Sequence, residues 1–528
     1  MYEGVTYEEF AKKVNGFESY ILKNSLNKAC GVISENRAEA EIAILAASAL
    51  GKVVLIDKDS TKEELENIIN DSKIEVIYCS KQYLDLVGDR AKVVCLDELD
   101  SMIEEDSEFE ISDEAGFVFY TSGTTDKPKK VELTNKNVFS NLKLASERYS
   151  FTIDDVVVSV LPYNHVLEGL FDLLLSIKGG AKRVFCNDVN ELAEIMVEKK
   201  ATYVGGVPAL YDVLFEEIKS LDEDKQKAIS ENIKFLFSAG APLKLETLNK
   251  FKELDIQILQ GYGLTETSSA IALETLSENK AGSVGKVLDG IELKLIDKDE
   301  NGAGEIIVKS DCNFANAIDK DGFLHTGDVG TVDEDGYLFI VGRNKNMIVL
   351  DNGQKVFPEQ LEEELNAIEG IKESLVYGEA NKVKAVIVCD GDENALKAKI
   401  DALNGTLPDF KQIKEIKYTN EPLPRTKTQK LIRDFKVEND KIDNEVSSEN
   451  KSIEERVKEI ISEVLKKDAS EIDLQSKLYE DLRADSLDTI SINIKLEKEL
   501  GEKIPREDSK GFITVEDIVK YFRNKKDE

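Results

Sequence analysis

The stretch "FVFYTSGTTDKPKKVELTN", Phe117 to Asn135, sets an apolar run directly before five residues that can hold an anion: Thr121, Ser122, Gly123, Thr124 and Thr125. Small residues let backbone N–H groups approach phosphate oxygens, hydroxyls donate, and Lys127 and Lys129 close behind add positive charge. That chemistry is phosphate binding, by a loop other than the GxxxxGK[ST] type. On composition alone a polar strand-to-helix turn is the commoner explanation. A second stretch, "EDLRADSLDTI" (480–490), holds a serine flanked by acids. The chain has two histidines, His165 and His325, both far upstream of Ser486, and a serine without a base is a poor nucleophile. So few histidines also argue against a Ser-His-Asp triad and against histidine-ligated zinc.

The elements that must position these residues follow from the pattern around them. Up to about residue 340, short apolar runs such as "KVVLID", "EVIYCS", "YVGGVP" and "FLFSAG" alternate with helix-period segments such as 38–50 and 61–69. The alternation predicts parallel sheets covered by helices. From Ile291 the pattern changes to hairpins, with Asn301-Gly302 and Asp335-Gly336 as turns, and predicts a distorted β-barrel or a sheet added to the large domain. A smaller α+β region follows, with "VFPEQLEEELNAI" as a helix and "VKAVIVCD" as a strand.

Residues 438–452 carry almost no apolar side chains and read as a flexible linker. Beyond them the pattern is helical. Ser452 and Glu455 form a capping box before a stripe of Val457, Ile460, Ile461, Val464 and Leu465. A helix from about Ser486 to Leu500 has Leu487, Ile490, Ile494 and Leu500 near one face, and Thr514 with Asp517 caps a last helix carrying Val515, Ile518, Val519 and Phe522. The fold class is thus α/β and α+β: a large domain 1–341, a small domain 342–437, the linker, and a helical bundle 453–528.

At 528 residues, 41% hydrophobic and 33% charged, the chain can bury the cores of two or three domains. A formal net charge of −35 argues against general affinity for nucleic acid or anionic lipid. The six cysteines are scattered, with no CxxC pair, and read as reduced thiols. The amino terminus lacks a signal pattern, and no apolar run approaches the ~20 residues a membrane span needs, so a cytoplasmic protein is expected.

In order along the chain stand "YTSGTTDKPK", "LPYNHVLE" (161–168), "SAGAPL" (238–243), "QGYGLTET" (260–267), "FLHTGDVG" (323–330), "YLFIVGRNKNMI" (337–348) and "LPRTKTQK" (423–430). Together they resemble the adenylate-forming family of acyl-CoA synthetases, luciferases and peptide-synthetase adenylation domains, over residues 5–435. "RAEAEIAILAASALGKVVLIDKDSTKEELENIINDS" and "GRNKNMIVLDNGQKVFPEQLEEEL" look most like bacterial long-chain fatty acyl synthetases. The resemblance implies ATP and Mg²⁺, and the joining of a carboxylate to the α-phosphorus with loss of pyrophosphate. Positioned cations and donors would then carry the catalysis.

Carried over residue by residue, the resemblance assigns the loop 121–125 and Lys127 to phosphate, Glu266 to Mg²⁺, and Thr265 to the α-phosphate. It assigns Asp328 and Arg343 to the ribose. Gly240, Ala241 and Pro242 would line the base, Tyr262 would stack on adenine beside Gly263, and His165 would close the acid pocket. Lys430 would bridge the carboxylate and the α-phosphate, and Lys345 would be the hinge about which the small domain swings. His325 reads as a structural donor before Asp328. Asp126, Lys130 and Gln429 stand where the family commonly has glycine, and 310–320 is shorter than usual.

Residues 453–525 resemble acyl carrier proteins, with Arg483 at a usual glycine; this implies a four-helix bundle with 4'-phosphopantetheine on Ser486. A separate phosphopantetheinyl transferase brings the chemistry, so the serine needs only exposure at a helix start, and Glu480, Asp481, Asp485 and Asp488 would face basic partners. A linker of ~15 residues spans ~20 Å r.m.s. and gives effective concentrations on the order of millimolar. The expected function is ATP-dependent loading of a fatty or related acid onto the chain's own carrier, for a downstream acyl-accepting enzyme. Free coenzyme A as acceptor, an amino-acid-activating module and an inactive binding scaffold are the alternatives.

Overall fold

The computed structural model describes residues 5–26, 29–104, 115–121, 128–351, 353–389, 393–425, 431–433 and 453–465, and part of 467–526. Contacts divide the chain into two units, Met1–Phe435 and Lys436–Glu528.

The first sheet of the large unit contains β1 (Cys30–Ile33), β2 (Lys52–Leu55), β3 (Val76–Cys79), β4 (Lys92–Cys95), β5 (Gly116–Thr121) and β6 (Lys129–Thr134), in the order β4-β3-β1-β2-β5-β6. All neighbours are parallel except β5 and β6. Its strands are apolar on both sides because helices cover both faces. Helix Ala38–Leu50 buries almost its whole length, and helix Lys62–Ser72 starts at a reciprocal Thr61–Glu64 capping box.

The second sheet contains β7 (Val156–Ser159), β8 (Lys182–Phe185), β9 (Tyr203–Gly206), β10 (Phe235–Ser238), β11 (Ile258–Tyr262), β12 (Ala272–Leu273) and β13 (Lys286–Val287), in the order β13-β12-β11-β10-β9-β7-β8. Its first five strands are parallel; β12 and β13 add antiparallel. The alternation of apolar runs with helical patterns therefore gives the parallel sheets it predicts. The hairpin region forms an open antiparallel sheet, β14 (Glu292–Ile296), β15 (Gly304–Lys309), β16 (Leu324–Val332) and β17 (Leu338–Arg343), the second of the two forms expected for it.

Between the two parallel sheets lies a cluster of charge. Arg183 on β8 is wholly buried and donates to Glu41 at 2.7 and 2.9 Å, to Glu168 at 2.6 Å, to the Ser176 hydroxyl at 3.0 Å and to the Asp172 carbonyl at 3.2 Å. Ser159 donates to Glu168, Tyr163 to Glu41, and Tyr203 to Asp172. Glu168 and Asp172 lie in one turn of π-helix, Leu167–Asp172, which runs into helix Leu173–Gly179.

After β17 comes a 3₁₀ turn, Asn344–Asn346, then the hairpin of β18 (Ile348–Val349) and β19 (Lys355–Val356). Helix Pro358–Asn366 packs on a sheet of β20 (Ile371–Glu379), β21 (Lys382–Cys389) and β22 (Ile413–Thr419). Proline at its first turn suits that helix, where an N–H would lack a partner.

In the second unit, helices Ile453–Leu465 and Val515–Lys526 face each other through Val457, Ile460, Ile461, Val515, Ile518, Val519 and Phe522, as their spacing predicts. Thr514 caps the latter helix by exchanging hydrogen bonds with Asp517. Between Ser486 and Leu500 the buried positions described are Ile492 and Leu496, and Leu500, one of the residues expected on the apolar face, packs partly buried against the same cluster. Leu487, Ile490 and Ile494 lie outside the described residues.

Candidate active site

The carboxyl ends of the parallel strands bring the motifs together, where ligands of open α/β sheets bind. From β5 the chain enters the loop 122–127, so Ser122, Gly123, Thr124, Thr125 and Lys127 lie outside the described residues, as does Asp126. The strand returns as β6 with Lys129 opposite Thr121, whose hydroxyl donates to the Lys129 carbonyl at 3.4 Å. Lys129 Nζ donates to Glu266 Oε1 at 2.7 Å. Lys130, at a position where the resemblance leads one to expect glycine, pairs instead with Glu132.

Glu266 and Thr265 sit in the 3₁₀ turn Thr265–Thr267 that follows β11. The turn is tightly constrained. A Cβ on Gly263 would stand 1.5 Å from the Ser269 carbonyl oxygen, so only glycine fits. Ser268 and Ser269 hold φ of 59° and 105°, a strained pair of the kind found at functional sites. Phe314 N–H donates to the Glu266 carbonyl at 2.7 Å, fixing the turn from the other side.

Asp328 is a buried carboxylate, 3% exposed, at the bend of β16. Its two oxygens are held apart: Arg343 Nε donates to Oδ1 at 2.8 Å, and the Tyr262 hydroxyl donates to Oδ2 at 2.8 Å. Register puts Arg343 directly opposite Asp328. Burial, and then the charge of Asp328, push the Tyr262 phenol far up, so it stays a donor. Replacing Asp328 with alanine strips Arg343 and Tyr262 of a shared acceptor, and is expected to raise the ATP KM at least about tenfold, since a hydrogen bond to a charged group contributes ~1.5–3 kcal/mol. Titrating ATP in pyrophosphate exchange, with a melting curve to verify folding, checks this.

Gly240 begins the exposed segment after β10 with φ of 84°, and a Cβ there would lie 3.6 Å from His165 Nε2. Ala241 and Pro242 follow, also exposed. The His165 ring accepts the Leu167 N–H on Nδ1 at 3.3 Å, which leaves Nε2 to carry the proton of the neutral ring, on the side of Gly240. The π-turn that begins two residues after His165 is fastened by Glu168 to Arg183. His325 stands apart, its ring nitrogens 3.3 Å from Glu305 and Asp319.

Lys345 lies in the turn after β17, where Asn346 donates to Glu359 Oε1 at 2.6 Å and Gly342 packs on the same carboxylate. Lys430 and Gln429 lie outside the described residues, but both flanks are anchored: Arg425 bridges to Leu431, and Arg433 donates to both Glu362 oxygens at 2.8 and 2.5 Å. Ser486, Arg483, Glu480 and Asp485 are also outside the described residues. Two features stand beyond the site residues assigned from sequence. Lys129 was legible only as the second of two lysines behind the loop, and the Glu168–Arg183 pair gave no signal except the acid in "NHVLEG".

Glu266 already holds a cation, the Lys129 ammonium, which suits a site for Mg²⁺. Among the described residues no cluster of three metal-ligating side chains occurs. A magnesium ion that takes one carboxylate and completes its shell with phosphate oxygens and water fits such a donor set.

The sheets and the α+β region that follows β17 are those of an adenylate-forming enzyme. The chain belongs to the family of AMP-binding enzymes: residues 1–316 match that family, 345–444 the AMP-binding enzyme C-terminal domain, and 455–522 the phosphopantetheine attachment site. A 2-succinylbenzoate–CoA ligase of Oceanobacillus iheyensis is 30% identical over 432 residues, 76% of this chain and 87% of that protein. A long-chain-fatty-acid–CoA ligase of Mycobacterium tuberculosis, FadD13, is 28% identical over 60% of this chain and 66% of its own length. Among solved structures, o-succinylbenzoate coenzyme A synthetase of Bacillus subtilis with ATP and magnesium superposes with a TM-score of 0.69 at 25% identity, covering 82% of this chain and 94% of that one. The protein is therefore a ligase of the AMP-binding enzymes that carries a phosphopantetheine attachment domain. No helix among the described residues is long and apolar enough to cross a membrane.

Proposed function

We propose that this ligase adenylates a medium- or long-chain fatty acid and passes the acyl group to the phosphopantetheine thiol on Ser486 of its own carrier domain. The observation that supports this reading most is that one chain matches both the AMP-binding enzymes and the phosphopantetheine attachment site. The large domain 1–341, the small domain 342–437 and the linker 438–452 would act as separate parts, with Lys345 as pivot. Free coenzyme A remains the competing acceptor, and the names of the relatives add 2-succinylbenzoate as a competing acid.

In this reading Asp328 and Arg343 hold the ribose, and Tyr262, Gly263 and the segment Gly240–Pro242 frame the base. Thr265, with Thr121 and the loop that follows it, donates to phosphate oxygens, while Lys127 offsets their charge. His165 closes the acid pocket with Nε2–H as donor. Magnesium, held by Glu266, would neutralise charge on the phosphates. Lys430 meets the attacking carboxylate and the α-phosphate together, where negative charge builds up. A cytoplasmic setting, a phosphopantetheinyl transferase and a downstream acyl-accepting enzyme complete the reading.

Acid-dependent ATP–pyrophosphate exchange decides the substrate class. With fatty acids of graded length, 2-succinylbenzoate, malonate and amino acids as the panel, a maximum among the fatty acids is expected. Exchange confined to 2-succinylbenzoate or to an amino acid would refute the fatty acid.

A further inference from the structure

Away from the nucleotide site, the first sheet sets two thiols side by side. β3 and β4 run parallel with Cys79 opposite Cys95 in register. Register partners share a face, and alternate residues along a strand share one too. Ile77, Cys79 and Val93 lie in the apolar cluster on the side of helix Lys62–Ser72, whereas Val76, Tyr78 and Val94 belong to the cluster on the other side. Cys95, two residues after Val93, therefore projects beside Cys79. Neighbouring strands lie ~4.8 Å apart, within the ~4.4–6.8 Å between Cα atoms that a disulfide spans. Each cysteine is also the last residue of its strand, so the strand ends can yield to close the sulfur gap. Cys30, on β1 of the same sheet, is opposite Val76 in the other cluster and has no such neighbour.

The two thiols differ in access. Cys79 is fully buried, and burial pushes its thiol up to about 12. Cys95 lies on the edge strand, partly exposed, with Sγ 3.7 Å from Asp97 Oδ2. An oxidant thus meets Cys95 first.

We propose that Cys79 and Cys95 form a reversible disulfide when the protein meets a hydroperoxide. The Cys95 sulfur takes an oxygen from the peroxide, giving a sulfenic acid and releasing an alcohol or water. The Cys79 sulfur then attacks the Cys95 sulfur, the S–S bond forms, and hydroxide leaves with the Cys79 proton as water. A dithiol reductant returns both thiols. The bond ties the edge strand to its neighbour and draws Cys95 off Asp97, whose carboxylate also accepts from Lys81 N–H at 2.7 Å and Arg37 at 3.2 Å.

The test uses the full-length protein, reduced, exposed to hydrogen peroxide, alkylated in denaturant and digested without reductant. The expected product is a peptide pair joined through Cys79 and Cys95, lighter by two hydrogens and split by dithiothreitol. Cys30, Cys186, Cys312 and Cys389 should be alkylated throughout. Cys79→Ser should let Cys95 proceed to sulfinic and sulfonic acids, and Cys95→Ser, the milder change at a partly exposed site, should leave Cys79 unoxidised. Absence of the joined pair from wild type, whether both thiols are alkylated or Cys95 is over-oxidised, overturns the proposal. So does a link from either cysteine to a third.

Discussion

Arg183→Ala is expected to destabilise the large unit by about 3–5 kcal/mol, the usual cost of removing one partner from a buried ion pair. The guanidinium is the largest fully buried side chain, and it serves Glu41 and Glu168, neither of which has any exposed side-chain area. Without it, carboxylates remain in a region that water does not reach. Burial already pushes Glu41 up to about 7 against the pull of Arg183, and burial with the charge of Glu168 holds Asp172 far above the usual carboxylate range. A folded-state pKa above the unfolded value of ~4 means that stability is present at low pH and lost as pH rises through the folded pKa. Removing Arg183 removes the pull that lowers Glu41, so Glu41 of the variant keeps its proton to higher pH. The two proteins lose stability in parallel up to about pH 7, and the deficit of the variant should grow as pH rises above about 7. Denaturant unfolding of both proteins across that range checks size and sign together. Because Glu168 fastens the π-turn that follows His165, the residue proposed to close the acid pocket, the same variant should raise the KM for the acid more than that for ATP wherever it remains folded.

Lys430→Ala is expected to lower acid adenylation by about 10²–10³, the scale set by removing one positioned donor from a developing oxyanion. Anchoring on both sides makes this a clean substitution. Arg433 clamps Glu362 three residues downstream, and Arg425 bridges Leu431, so the described flanks are held by contacts that do not include the lysine. ATP binding, carried by residues of the large domain in the proposed arrangement, should change little. Transfer from preformed acyl-adenylate to a thiol should also survive, because in the proposed arrangement the small domain would take its other orientation for that step. Pyrophosphate exchange beside single-turnover thioester formation separates the two steps.

Much of this architecture was legible because its determinants are local. Strand runs ending in small polar residues, with helix-period segments between, specify parallel sheets before any coordinates are known. The Thr514–Asp517 cap and the stripe of Val457, Ile460 and Ile461 are likewise local, and they appear where the spacing puts them. The tight turn at Gly263 could be expected only as a glycine in a motif; the reason, a carbonyl six residues on, lies in the folded chain.

What was not legible depends on register and on distance in sequence. Nothing in "DKPKK" says which lysine turns toward Glu266; the pairing of Thr121 with Lys129 across β5 and β6 decides it. Arg183 gathers Glu168, the Asp172 carbonyl and Ser176 from the segment just before it, but Glu41 comes from far upstream, so no short window of sequence contains the whole cluster. The π-turn adds a residue to a pattern that otherwise reads as an ordinary apolar helix. In the carrier domain, Ile492 and Leu496 are buried beside Leu500 without having been singled out from the sequence.

The most direct test of the central proposal is the intact mass of the full-length, phosphopantetheinylated protein after incubation with ATP, Mg²⁺ and a fatty acid, in the presence and absence of coenzyme A. The expected result is a gain of one acyl group that coenzyme A does not suppress, that hydroxylamine removes, and that Ser486→Ala and Lys430→Ala both abolish. Acyl-coenzyme A accumulating with every acid that supports exchange, while the mass of the carrier stays unchanged, would contradict it.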